Sequence, residues 1–248
     1  MCNLHFEFFH SQFLRSKISI PQSAIRSAML HSWDLSPKQA ITLQKRLASS
    51  VVLKPLPAEI DLVAGADVGY SRRHDRAVAA VATYTYPGLE LRELVRFQGK
   101  LSYPYVSGLL SFREIPLLLK AFERLTEEPN VVLCDGQGAA HPRRFGFASH
   151  LGLWLNVPTV GCAKTRLVGT HGKVGPMKGQ YRSLWYRDER VGVVLRTRTK
   201  VKPLYVSPGH LAEVNGSRKL VERCCTKYRI PEPIRRAHLT AQRAVRGA

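Results

Sequence analysis

The chain is poor in long apolar runs, in pairable cysteine and in acid. No stretch approaches the roughly 20 apolar residues that a membrane-spanning helix needs. The five cysteines (Cys2, Cys134, Cys162, Cys224 and Cys225) are odd in number, and their spacing matches neither a disulfide framework nor a zinc site. Cys134 and Cys162 fall in strand-like runs and read as small core residues. A reducing cytoplasm is the expected compartment. The first 30 residues lack the continuous apolar segment of a secretory signal. No internal repeat or low-complexity tract is present.

The shortage of acid is uneven. Over the whole chain, 38 Lys and Arg face 18 Asp and Glu, a net charge of +20. Residues 1–135 hold 16 basic and 13 acidic residues, whereas residues 136–248 hold 22 and 5. A basic half is the footprint of a polyanion partner. With no basic amphipathic anchor in the chain, nucleic acid is expected rather than a membrane.

A length of 248 residues with 44% hydrophobic composition suits one large domain with an addition. Residues 1–30 read as an N-terminal extension, with Phe6, Phe8, Phe9 and Phe13 beside Arg15, Lys17 and Arg26; Met29 is an alternative start. Residues 31–248 read as the working domain. A helix is predicted from Ser36-Pro37, with Ser36 as N-cap, through Ala40, Leu43, Leu47 and Val51. Three strands, 61–70, 77–86 and 89–101, are separated by turn signals at Arg72–Asp75 and Pro87-Gly88, which predicts an antiparallel meander. A helix over 112–126, a strand over 130–135, a helix near 144–156 and a strand over 158–163 follow, and this alternation predicts parallel pairing. Residues 181–187 and 191–199 read as two more strands, and 210–228 and 232–245 as closing helices. The order is that of an α/β domain: an RNase H-like mixed β-sheet flanked by helices.

Four polar positions are out of place in this frame. Asp67 interrupts the strand-like run Leu62–Tyr70, on the same strand face as Val63, Gly65 and Gly69. Two glycines beside an acid leave room for a close approach to the backbone; alternatively, Asp67 caps a turn. Asp135 ends the apolar run Val131–Cys134 and opens Asp135-Gly-Gln-Gly-Ala-Ala-His141. Ligands of α/β sheets bind at such strand ends, although an Asx-type turn would also place an acid there. Glu114 fits a capping box with Ser111, and Pro116 falls near the expected first turn. His238 lies on the last predicted helix, where most histidines are surface or packing residues. His141 and Lys164 sit in loops after strands, where either could touch a phosphate. Taken together, carboxylates on neighbouring strands suit Mg²⁺ or Mn²⁺. Such a site next to a basic surface points to metal-assisted phosphodiester hydrolysis.

Across residues 33–245 the chain resembles the endonuclease V family of deoxyinosine-directed nucleases. The resemblance rests on Ala64–Tyr70, Tyr103–Glu114, Val132–Gly138, His141–Gly146, Pro158–Lys164 and Pro231–His238, which occur in family order. It implies a metal held by Asp67, Glu114 and Asp135, with His238, Lys164 and His141 also in the catalytic centre, and Mg²⁺ as cofactor with Mn²⁺ as substitute. It implies a strand-separating wedge at Pro104-Tyr105-Val106-Ser107, where relatives carry Pro-Tyr-Ile-Pro; Ser107 removes the second, stiffening ring. Gly108, Leu110, Gly136, Gly146 and Phe147 are implied to line a pocket for the flipped base. Gln137 stands where relatives often carry histidine or asparagine. The implied reaction cuts the second phosphodiester 3′ to deoxyinosine in DNA, leaving 3′-hydroxyl and 5′-phosphate ends, in a monomeric repair enzyme. Two other readings stand beside it: an endoribonuclease acting at inosine in RNA, and a non-catalytic nucleic-acid-binding protein. A pure binder has no use for acids beside phosphate.

Overall fold

Strand β1 (Leu62–Ser71) organises the sheet, because it meets antiparallel and parallel partners on its two sides. In the computed structural model, which describes residues 30–71 and 75–246, β1 pairs antiparallel with β2 (Arg76–Thr85), and β2 with β3 (Leu91–Gly99). This is the predicted meander. On its other side β1 runs parallel to β4 (Val131–Cys134), which runs parallel to β5 (Thr159–Ala163). The remaining strands, β6 (Tyr181–Tyr186), β7 (Glu189–Leu195) and β8 (Leu204–Pro208), complete an eight-stranded sheet of order β3-β2-β1-β4-β5-β8-β7-β6. β4 and β5 are buried at every residue, as expected of central parallel strands read as apolar runs. The mixed sheet with flanking helices is of the RNase H-like class.

Helix α1 (Pro37–Leu47) starts as its sequence dictates: Ser36 and Gln39 form a reciprocal capping box, and Pro37 occupies the first turn. It ends earlier than predicted, with Ala48–Ser50 tightening into a 3₁₀ turn and Val51 extended. Helices α2 (Leu110–Phe122) and α3 (Phe147–Leu155) cover one face of the sheet through Ile115, Leu118 and Leu151 against Ala64, Ala66, Ala79 and Cys134. Helices α4 (Val214–Cys224) and α5 (Glu232–Arg246) cover the other, where Leu220, Val221 and Ile234 meet Val63, Leu133 and Val160. Cys134, Cys162, Cys224 and Cys225 are free and buried. Among the described residues no helix is long and apolar enough to cross a membrane.

Three expectations are corrected. β8 was not predicted, because Leu204–Pro208 is five residues long and proline-flanked, yet it pairs with both β5 and β7. β7 ends at Leu195 rather than 199. The Ser111–Glu114 capping box does not form: α2 begins one residue before Ser111, its N-cap position Leu109 makes no side-chain cap bond, and Pro116 lies inside the helix. The Ser111 hydroxyl is instead hydrogen-bonded to His150 Nδ1 at 2.9 Å. The reading of an extension before Leu30 lies outside the described residues.

Candidate metal centre and adjoining pocket

The register of the central strands sets the acids side by side. Ala66 pairs with Cys134 across the parallel β1–β4 ladder, so the next residues, Asp67 and Asp135, are neighbours at the carboxyl end of β4. The α5 backbone closes over this point. A Cβ on Gly65 would stand 2.1 Å from the Pro233 carbonyl carbon, and one on Gly69 would stand 2.9 Å from Ala241. The two glycines flanking Asp67 thus admit a helix to contact distance, and that helix carries His238.

His238 Nδ1 donates to Asp67 Oδ2 at 2.8 Å. Ligand atoms from Asp67, Asp135 and His238 all lie within 4.8 Å of one another, close enough to hold one ion. Lys164, beyond the end of β5, makes an ion pair with Asp135 Oδ2. Burial raises the Asp135 pKa, with Asp67 adding to the effect and Lys164 opposing it. The Asp67 hydrogen bond raises that of His238 against its own partial burial.

Glu114 is not one of the three clustered ligands. It comes from α2, near enough to the aspartates to feel their charge, and its pKa is raised to about 8 by burial and by the charges of Asp67 and Asp135. Three crowded carboxylates and an imidazole make a hard, oxygen-rich donor set, which fits Mg²⁺ or Mn²⁺ and not a thiolate-seeking metal. The raised pKa values of Glu114 and Asp135 have the same main cause, burial of the carboxyl groups, with repulsion from neighbouring carboxylates adding to it.

A pocket of about 320 Å³ adjoins the centre. It brings together Tyr105, Val106, Ser107, Gly108, Leu110, Gly136, Phe147, His141 and Lys164 with Asp135. Pro104 and Tyr105 are exposed, Tyr105 to 76%. Gly146 lies outside this lining, as the N-cap of α3, where a Cβ would meet the Gln137 carbonyl oxygen at 2.3 Å. Its lack of a side chain serves loop packing.

His141 is 3% exposed, and both ring nitrogens are engaged. Nε2 donates to the Gly108 carbonyl at 3.1 Å and Nδ1 accepts from the Arg143 amide at 3.2 Å. Burial and the Arg143 charge lower its pKa to about 4, so the ring is neutral at pH 7. The same carbonyl accepts from Gln44 Nε2 at 3.0 Å and Arg143 Nη2 at 2.9 Å, while Gln44 Oε1 accepts from Arg143 Nε at 2.6 Å. His141, Gln44 and Arg143 therefore clamp Gly108, which has φ +77°, and anchor the segment that presents Tyr105. Gln44 and Arg143 were missed in the sequence; a buried glutamine beside Leu43 and Leu47 on the apolar face of α1 is the signal that marks the first. Gln137 Nε2 donates to the Thr165 carbonyl at 2.9 Å, tying the Asp135 loop to the Lys164 loop.

Fold and centre together define the class, an RNase H-like nuclease. Comparison with known proteins gives the family. The profile of the endonuclease V family matches residues 45–239. The chain is 48% identical over 221 residues to endonuclease V of Dehalococcoides mccartyi (strain CBDB1), covering 89% of this chain and 99% of that one. Its fold superposes on the crystal structure of endonuclease V from Streptomyces avermitilis with a TM-score of 0.82 at 37% identity, covering 87% and 96% of the two chains. It also superposes on a single-residue variant of Ciona intestinalis endonuclease V, crystallised with a 23mer DNA containing an inosine followed by a ribo-adenosine, with a TM-score of 0.76 at 28% identity and coverage of 86% and 99%. The chain belongs to the endonuclease V family and is a nuclease.

Proposed function

We propose that this nuclease is a monomeric, cytoplasmic DNA-repair enzyme dependent on Mg²⁺, with Mn²⁺ as substitute. It recognises deoxyinosine and hydrolyses the second phosphodiester 3′ to it, leaving 3′-hydroxyl and 5′-phosphate ends. The observation that carries the reading is the convergence of Asp67, Asp135 and His238 within 4.8 Å beside the pocket that Tyr105 overhangs. Asp67, Asp135 and Glu114 would hold the cation, with His238 hydrogen-bonded to Asp67 beside them. When bound, it supplies Lewis acidity that activates water and offsets charge on the phosphodiester. His238 is fixed in orientation by Asp67, leaving Nε2 directed away from that bond. Lys164 adds positive charge at the scissile phosphate. Tyr105 stacks on the base left by the extruded nucleotide, and Gly108, Leu110, Gly136 and Phe147 face the flipped base. Ser107, in place of a second proline, leaves the wedge tip less stiff.

A second reading, cleavage at inosine in RNA, is favoured by one observation. The Ciona relative was crystallised with a ribose immediately after the inosine, so that family member accommodates a 2′-hydroxyl at this position. Matched inosine-containing DNA and RNA oligomers, incubated with Mg²⁺, Mn²⁺ or EDTA and mapped for cut position, test both. The expected result is Mg²⁺-dependent cutting of the DNA at the second 3′ phosphodiester; cutting that EDTA leaves intact, or no cutting of either oligomer, contradicts the proposal.

A further inference from the structure

A second basic cavity lies on the far side of α5 from the metal centre. It has a volume of about 630 Å³, and Arg76, Arg96, Arg124, Arg236 and Arg243 line it with no acidic residue. We propose that this groove holds backbone phosphates of the nucleic acid beyond the cleavage centre.

The sheet register shows why the groove exists. Asp67 pairs with Ala80, and Ala80 with Arg96, so the three side chains share one face of the sheet. Arg96 is two strand spacings from Asp67, about 10 Å. α5 packs over β1 and β2 but leaves the same face of β3 uncovered, with Arg96 and Gln98 exposed. The residues of α5 that turn away from β1, Arg236 and Arg243 among them, form the opposite wall. Metal centre and groove therefore share one sheet face and one helix. The path from the aspartates to the groove passes over α5, whose diameter with side chains is about 10–12 Å, so a strand that carries one phosphate per about 3.4 Å of axis spans it in several nucleotides.

The arginines are not accounted for by internal pairing. Among the described residues none of the five makes an ion pair within 4.0 Å, although Arg92, Lys100 and Lys120 nearby do. Nε of Arg76 and Nε of Arg236 are buried with no hydrogen-bond partner. Arg76 Nη2 donates to the Ala244 carbonyl and Arg124 Nη1 to the Arg96 carbonyl, and the Arg124 guanidinium also lies 4.8 Å over the Phe97 ring; these contacts fix two guanidinium planes but supply no counter-ion. Guanidinium groups around one cavity repel one another, and a phosphodiester relieves that repulsion while matching the planar donor fork. The arginines come from both halves of the sequence, so the groove is not the basic C-terminal half alone.

The proposal rests on the nuclease class and not on inosine specificity, so its test uses uncut, unmodified duplex in EDTA. Binding is followed by fluorescence anisotropy from about 50 to 200 mM salt. Arg96 and Arg243 are exposed and their removal should leave the fold intact. The double variant Arg96→Ala/Arg243→Ala should bind about tenfold or more weakly, with the slope of log K against log salt reduced by about 2. The pair Arg96→Lys/Arg243→Lys should keep the wild-type slope. Wild-type affinity and slope in the alanine variant overturn the proposal. So does an alanine variant that binds DNA normally but loses binding to vesicles of phosphatidylcholine with phosphatidylserine, which would assign the groove to a membrane.

Discussion

His238 on the last helix and Asp67 on the first strand are joined by a 2.8 Å hydrogen bond across 171 residues of sequence. The bond exists because Gly65 and Gly69 let α5 reach the strand backbone. It fixes the orientation of the imidazole by aiming Nδ1 at the acid.

Removing the ring should therefore affect chemistry more than folding. The expected outcome for His238→Ala is a loss of about 100-fold in kcat on an inosine substrate. The ring is partly exposed, so the change in unfolding free energy should be about 1–2 kcal/mol. Steady-state kinetics and urea unfolding on the same preparation check both. Unaltered kcat would remove His238 from the centre.

Glu114 ties stability to function. Its folded pKa of about 8 lies above the ordinary carboxylate value of 4.5. Between these values the folded protein holds a proton that the unfolded chain releases, so cation-free stability falls as pH rises through this window. Glu114→Gln should flatten that decline and make the cation-free protein a few kcal/mol more stable at pH 9 than the wild type. Urea unfolding in EDTA at pH 5, 7 and 9 measures it. Superimposable pH profiles would show that neither burial nor the two aspartates raise the Glu114 pKa.

His141 has the opposite dependence. Its folded pKa of about 4 lies below the ordinary 6.5, so the unfolded chain binds the proton first as pH falls. Stability from the neutral ring is complete above pH 6.5 and is lost towards pH 4, by about 3 kcal/mol. His141→Gln should make the acid limb of the stability profile shallower, which unfolding at pH 7, 6 and 5 would reveal. An unchanged limb would contradict a neutral, clamped imidazole.

Tyr105 is 76% exposed, so its removal should alter stability by less than about 0.5 kcal/mol. Tyr105→Ala should nevertheless slow cleavage of duplex inosine DNA about tenfold or more relative to single strands, because only the duplex must be opened. Equal losses on the two substrates would refute a wedge.

Much of this architecture was legible in the sequence. The turn signals at Pro87-Gly88 and the buried run Val131–Cys134 led correctly to the meander and to a central strand ending at Asp135. β8 was not legible, because five residues that follow one proline and end on another carry no clear periodicity. Gly65 and Gly69 announced a close approach, but only the fold shows that the approaching group is the α5 backbone. Glu114 illustrates the limit of local reading: Ser-x-x-Glu spells a cap, but Ser111 bonds His150 instead and Glu114 is buried within reach of the aspartates' charge. The Gly108 clamp and the arginine groove draw on residues far apart in the chain, and no local pattern joins them.

Asp135 is where metal, lysine and substrate strand are proposed to meet, so Asp135→Asn is the most direct test. Cleavage and binding of the same inosine-containing duplex should be measured in Mg²⁺. The expected result is cleavage reduced by a factor of about 1,000 or more while inosine-DNA binding survives. Cleavage at the wild-type rate by Asp135→Asn would contradict the metal centre and the hydrolytic mechanism built upon it.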